Sequence, residues 1–348
     1  MSRIAIVGAG AAGLAAAYGL RTGSHEITVF EKSRGFGGRA ATRGRHGCRY
    51  DHGANFITVT SDRVEQLLAA HLPTDDLVKI GRPIWSFDES GTISRAQEDA
   101  LNGTAKWTYR HGINTLGKLL ARHGPAEVER ETRIEQIEDK DGWRLRDRGG
   151  AAYGPFDLLL LTPPAPQTAA LLGSADSEPL RRVQQRVADV PYAAQFAYVF
   201  AFDRTVARPG PFYGLVAEED DHPLQWIGFE HDKPGHVPDG HSVIVAQTSP
   251  AWTAERVDED PETYAVEMRD RVEDILVSDL RQPAWYDVQR WRYAVPEAGL
   301  TDDQLPDGGS IGLFLAGDYV AGSGSVGAAL EAGLDAAQRM SDWMAGTS

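Results

Sequence analysis

A chain of 348 residues, 42% apolar and 24% charged, exceeds the usual single-domain size and has the material for a sizeable core. Thirty-five basic against 50 acidic residues leave a formal charge of −15, which argues against nucleic acid and anionic membrane surfaces, because no basic excess offsets phosphate charge. One cysteine, Cys48, excludes an internal disulfide and any multi-cysteine metal site, so no metal is expected; the thiol fits a reducing compartment and reads as inert.

The chain opens strand, glycine turn, helix, strand. Residues 3–7 are a short apolar strand, residues 11–20 an alanine-rich helix, and residues 26–30 a second strand rich in β-branched residues. A buried strand beginning at Arg3 leaves no room for a signal peptide, and no apolar run reaches membrane-span length. A soluble cytoplasmic protein, monomeric or homodimeric, is expected. Between these elements lies Gly8-Ala9-Gly10-Ala11-Ala12-Gly13. In such a turn Gly8 permits the bend, Gly10 lets a pyrophosphate approach the backbone, and Gly13 lets helix and strand pack closely. The helix N-terminus offers N–H groups and partial positive charge to phosphate. Glu31, at the end of the second strand, is placed to accept from the ribose hydroxyls of an adenosine, and its charge disfavours a 2′-phosphate despite the adjacent Lys32. These features define a dinucleotide site without separating FAD from NAD.

Further on, residues 83–87 suggest a short strand within an irregular stretch, and a helix is expected over 113–122, with Leu116, Leu119 and Leu120 on one face. Residues 127–137 and 142–147 read as strands, and 156–161 as a strand buried on both faces. Thr162-Pro163-Pro164-Ala165-Pro166 stops it. Strands follow at 195–202, 212–217, 225–229 and 242–248, then an amphipathic helix at 264–277 and a strand at 288–293. A last apolar strand at 311–316 precedes a last helix at 328–343. No nucleophilic triad, metal-protease motif or carboxylate pair stands out, which argues against a hydrolase.

Directly after the ribose acid comes Gly35-Phe36-Gly37-Gly38-Arg39. Here the sequence resembles the flavoprotein superfamily that includes amine oxidases, protoporphyrinogen oxidase and phytoene desaturases, in which a G-G-R segment at this place marks FAD. The resemblance implies a pyrophosphate contact for Arg39, and for Asp318 of Gly317-Asp318 a contact to a ribityl or pyrophosphate oxygen. The helix opened by Ser325 and Val326, with Ala329 behind them, would place its N-terminal dipole at the flavin; relatives often carry Glu-Gly where this chain has Gly327-Ala328. Ala11, Ala12, Gly38, Ile134 and Thr162 complete the expected contacts to non-covalent FAD, with Asn55 and Phe56 near the ring. The implied fold is α/β: a discontinuous FAD-binding Rossmann-type domain (1–74, 112–170 and 287–348), glutathione reductase-like or amine oxidase-like, with an inserted mixed-sheet α+β substrate domain (75–111 and 171–286).

Residues 32–39, 51–56, 106–112, 162–167, 290–296 and Gly317-Asp318 look more narrowly like the renalase family, bacterial renalases in particular. That family oxidises isomeric dihydronicotinamide nucleotides to NAD(P)+ and passes the electrons to O2, giving H2O2. Such a hydride donor needs an apolar surface near the flavin and no strong base. Trp291 and Tyr293 alternate along one strand and so share a face, as Trp107 and Tyr109 do. Trp291, Tyr293, Trp107 and Asn55 are the candidate catalytic residues, and His52 and His111 could meet substrate or phosphate. An amine oxidase or desaturase, and a flavin-binding protein without turnover, are the competing readings.

Overall fold

The computed structural model describes residues 1–96, 98–175, 177–306 and 311–346. At one end is a five-stranded parallel sheet in the order Glu127–Glu129, Glu26–Phe30, Arg3–Val7, Leu158–Leu161, Leu313–Leu315. Leu158, Leu159, Leu160 and Leu161 are wholly buried, as a central strand covered on both faces requires. One face carries the Ala11–Gly19 helix and, against it, the long Val326–Gly346 helix. Small residues let those helices touch: a Cβ on Gly333 would lie 2.2 Å from the Ala12 carbonyl oxygen, and one on Gly19 2.6 Å from Ala337 Cβ. The C-terminal element is thereby brought beside the N-terminal glycine turn.

A three-stranded antiparallel meander (Ile134–Asp139, Trp143–Asp147, Ala152–Phe156) flanks this sheet. Two expected strands are each divided here. Residues 127–137 split between the parallel sheet and the meander, because Glu131 adopts φ 58° and turns the chain. Residues 156–161 split at Asp157, whose N–H bonds the Arg3 carbonyl while its carboxylate accepts from the Arg3 N–H at 2.7 Å. The last strand is shorter than expected, Leu313–Leu315, and the last helix starts earlier, at Val326.

The second large element is a mixed seven-stranded sheet, ordered Trp285–Pro296, Tyr192–Phe202, Ser242–Thr248, Leu224–Phe229, Gly214–Ala217, Ile84–Phe87, Ile93–Ser94. Its outer face buries Phe196, Tyr198, Phe200 and Phe202 against Met268, Val272 and Ile275 of the Ala265–Leu276 helix. Its inner face packs Val199, Ala201, Val243 and Val245 on Cys48, Tyr50 and Trp285. The hairpin Thr42–Arg45/Cys48–Asp51 thus packs on the inner face of this sheet. The residue-287 boundary expected from sequence falls inside one continuous strand, Trp285–Pro296, which pairs with Tyr192–Phe202. Among the described residues no helix is long and apolar enough to cross a membrane.

Candidate active site

The glycine turn is built as its residues dictate. Gly8 sits at φ +105°, where an L side chain is strained, and a Cβ there would lie 2.5 Å from Thr162 Oγ1. Thr162 donates to the Val7 carbonyl at 2.8 Å, so it buttresses the turn from behind. A Cβ on Gly13 would strike the Gly8 carbonyl oxygen at 2.0 Å, whereas one on Gly10 would meet nothing within 4 Å, leaving that backbone open to approach. Helix geometry leaves the N–H groups of Ala11, Ala12 and Gly13 without partners in their own helix. Gly37 donates to the Ala9 carbonyl at 2.9 Å and latches the second glycine loop onto the first; Gly38 follows at φ +61°. Glu31 is buried and accepts from the N–H groups of Ala9 and Ser33, each at 2.8 Å. Lys32 reaches Gln167 at 3.3 Å, and Ile134 is buried at the start of the meander.

Arg39 and Asp318, each expected at the cofactor separately, are bound to one another. The guanidinium grips both carboxylate oxygens, at 2.6 and 2.8 Å, and also donates to the Ala294 carbonyl at 3.0 Å. Burial alone would lower the Arg39 pKa, but the Asp318 charge outweighs it and the result is a rise. Tyr192, not anticipated from sequence, donates to the same carboxylate at 2.8 Å and lies edge-on to Tyr293, ring centres 6.1 Å apart. Gly317 precedes Asp318 at φ +134°, a conformation that requires glycine. Ser325 accepts from the Ala328 N–H at 3.1 Å and caps the last helix. Val326 is buried and Ala329 half-buried in its first turns. Gly327 stands where a Cβ would lie 2.2 Å from the Thr58 carbonyl oxygen, which explains a small residue at that position.

Trp291 points from the inner sheet face onto the 52–55 segment. Its indole N–H donates to the His52 carbonyl at 2.7 Å, and its ring stacks on the His52 imidazole at 5.4 Å and 13°. A Cβ on Gly53 would lie 2.1 Å from the Arg39 carbonyl oxygen and 3.2 Å from the Trp291 ring. Burial, with the Arg43 charge second, lowers the His52 pKa to about 4, so the ring is neutral at physiological pH. Asn55 is oriented by a relay that one carbonyl dictates. The Gly53 carbonyl can only accept, so the Gln247 amide nitrogen faces it at 2.7 Å; the Gln247 oxygen then accepts from Asn55 Nδ2 at 2.9 Å. This leaves Asn55 Oδ1 buried with no partner among the described residues. An acceptor so placed can take a hydrogen bond from a bound group.

The remaining candidates have neighbours of their own. Trp107 belongs to another sheet, paired with Ile57 and Lys79, and packs on the Rossmann-side core. Tyr109 is fully buried there, and His111 is exposed, with its Nδ1 2.9 Å from an Asp76 carboxylate oxygen. Phe56 tilts against Trp226 at 5.9 Å, and Lys106 Nζ, held by the Leu101 carbonyl at 2.5 Å, lies 5.7 Å from the Phe56 ring. The Cys48 thiol is buried and burial raises its pKa, in keeping with an inert residue.

One cluster escaped the sequence entirely. Asp51, Glu230, Lys233 and His236 have wholly buried side chains. Lys233 Nζ lies 2.9 Å from Asp51 and 2.7 Å from Glu230; His236 bridges Glu230 and the Tyr109 carbonyl, both at 2.9 Å. Burial would lower the Lys233 pKa, but the two carboxylates outweigh it and raise it; burial would raise the Glu230 pKa, but Lys233 and His236 bring it to about 2. Asp51, Glu230 and His236 are close enough to suggest metal ligands, yet the Lys233 ammonium already occupies the cation's place between the two carboxylates. The cluster joins the 51–56 segment to the seven-stranded sheet. Beside it Tyr213, 5.9 Å from Lys233 Nζ, donates to the Asn55 carbonyl at 3.1 Å.

A Rossmann-type cradle facing an aromatic-lined sheet is the scaffold of a dinucleotide-dependent oxidoreductase. The open backbone at Gly10 and the buried Glu31 behind it fit the dinucleotide portion of FAD. Residues 6–70 match the NAD(P)-binding Rossmann-like domain, and residues 81–341 match the flavin containing amine oxidoreductase family, to which the chain belongs. It is therefore a flavin-dependent oxidoreductase, and its cofactor is FAD. Mouse (Mus musculus) renalase is 29% identical over 206 residues, a match covering 57% of each chain, so just over half of that relative's length is spanned. Among solved structures, a fatty acid isomerase from P. acnes superposes with TM-score 0.73 at 16% identity, over 97% of this chain and 98% of that one. An engineered putrescine oxidase gives 0.72 at 13% identity, over 99% of both. At such identities the likeness is one of fold.

Proposed function

We propose that this flavoenzyme is a renalase-type oxidase, which takes hydride from isomeric dihydronicotinamide nucleotides and yields NAD(P)+ with H2O2 from O2. The single observation that carries this reading is the extent of the renalase match, 206 residues, against 66 for a plant protoporphyrinogen oxidase and 86 for a bacterial desaturase. Bound FAD would supply the two-electron acceptor and return the electrons to O2.

The chain's own residues have consistent roles in that reading. Trp291 and Tyr293 wall the substrate side, and the Arg39–Asp318–Tyr192 linkage fixes the strand that carries them. Asn55 Oδ1 offers an acceptor to the carboxamide N–H of a nicotinamide. His52 stays neutral, so it adds no positive charge where a pyridinium cation forms. No side chain is asked to remove a proton, because the ring nitrogen's lone pair drives hydride departure. Anaerobic mixing with such isomers should bleach the flavin absorbance while ordinary NADH does not; absence of bleaching by either excludes the reading.

A second reading, an amine oxidase, is favoured by the Lys106 ammonium beside Phe56 and by the His52–Trp291 and Tyr192–Tyr293 ring pairs. Flavin bleaching by polyamines, and not by dihydronicotinamides, would select it.

A further inference from the structure

We propose that the recess between the 42–50 hairpin and the Trp285–Pro296 strand binds the phosphate groups of a nucleotide. The recess has a volume of about 420 Å³, within the range of small-molecule sites, and Arg34, Arg43, Arg45, Tyr50 and Asp287 line it. Three guanidiniums face one carboxylate on a chain whose formal charge is −15.

How those cations are held decides what the recess can bind. Arg43 is spent on Asp287 at 2.7 Å and on Gln289 at 2.5 Å. Arg45 has no carboxylate partner among the described residues: it donates to the Tyr286 carbonyl at 2.9 Å and lies 5.3 Å over the Trp285 ring. Arg34 is exposed, and its guanidinium makes no ion pair or hydrogen bond among the described residues. Arg34 and Arg45 thus line one concavity without a carboxylate partner among the described residues. Guanidiniums with unspent donors are suited to phosphate oxygens, which accept two parallel N–H bonds.

The position fits a nucleotide whose ring lies at the candidate active site. Asp287 and Trp291 share the inner face of one strand, four residues apart, or roughly 13 Å at ~3.3 Å per residue. The link to a dihydronicotinamide substrate rests on the proposed function; phosphate binding at the recess does not.

The test is titration calorimetry of the FAD-loaded protein with inorganic pyrophosphate and with ADP-ribose, comparing wild type and the double variant Arg34→Ser/Arg45→Ser. Both side chains are exposed, so the fold should be kept, and the flavin-to-protein ratio checks it. We expect both ligands to bind wild type, more weakly as salt rises, and the double variant to bind them about tenfold less tightly. No binding to wild type, or equal binding to both proteins, would overturn the proposal. So would a fall in flavin content in the variant, since the recess would then belong to the cofactor. If the anions bind through the recess but no dihydronicotinamide bleaches the flavin, the substrate reading fails and the recess stands. Bleaching with unchanged KM in the variant, and no pyrophosphate binding, overturns the recess and leaves the substrate reading intact.

Discussion

Arg39 and Asp318, 279 residues apart in sequence, meet in a doubly bonded ion pair that ties the second glycine loop to the C-terminal element. Asp318 is buried and Arg39 is partly exposed. Asp318→Asn leaves the guanidinium without its counter-charge and should cost about 2–3 kcal/mol, a discount from the roughly 3–5 kcal/mol of fully buried pairs. Thermal unfolding of the flavin-free protein reads this directly. A variant as stable as wild type would show that the pair contributes nothing to the fold.

Glu31 accepts from two backbone N–H groups and faces the open glycine turn. Charge-assisted bonds from a carboxylate to a ligand contribute about 1.5–3 kcal/mol, so Glu31→Ala should weaken FAD binding by roughly 10- to 100-fold. The check is flavin per protein after gel filtration. Unchanged flavin content would contradict the role given to Glu31.

His52 has a folded-state pKa of about 4 against an ordinary value of 6.5, mainly through burial. Between those values the unfolded chain binds the extra proton, so acid favours unfolding. Stability attributable to His52 is therefore complete above about pH 6.5 and falls by about 3 kcal/mol as pH drops to 4. His52→Gln should flatten that part of the stability–pH curve, measured by urea unfolding. A curve with the same slope in the variant would assign the acid sensitivity elsewhere.

Lys233 is the cation between two buried carboxylates. Lys233→Met removes the cation between the two carboxylates, with His236 still bonded to Glu230, and should destabilise by about 3–5 kcal/mol; adding Glu230→Gln removes one uncompensated charge and should recover part of the loss. Chemical unfolding of the two variants decides it. A double variant less stable than the single one would mean that the Glu230 bond to His236 outweighs the charge left by removing Lys233.

Much of the fold was legible because its periodicities are unambiguous. Leu158–Leu161 is an unbroken apolar run, and a central parallel strand is buried on both faces. Strand breaks at Glu131 and Asp157 were not legible, since each depends on a turn within a stretch of strand-like composition. The glycine turn and Glu31 could be placed because their spacing encodes their geometry. The buried cluster could not: Asp51 and Lys233 lie 182 residues apart, and Glu230-His231-Asp232-Lys233 looks like a solvated turn until the hairpin closes over it. The alternation of Trp291 and Tyr293 shows which strand face they share, but the stacking of Trp291 on His52 depends on where the 52–55 segment crosses the sheet.

The central claim is that this flavoenzyme takes hydride from a dihydronicotinamide of unusual isomeric form. Anaerobic stopped-flow mixing of the FAD-loaded protein with the isomeric dihydronicotinamide nucleotides, and separately with NADH, tests it most directly. Rapid loss of the oxidised-flavin absorbance with the isomers, recovered with H2O2 on admitting O2, and slow or no loss with NADH, is the predicted result. Full retention of the oxidised spectrum with every dihydronicotinamide would contradict it.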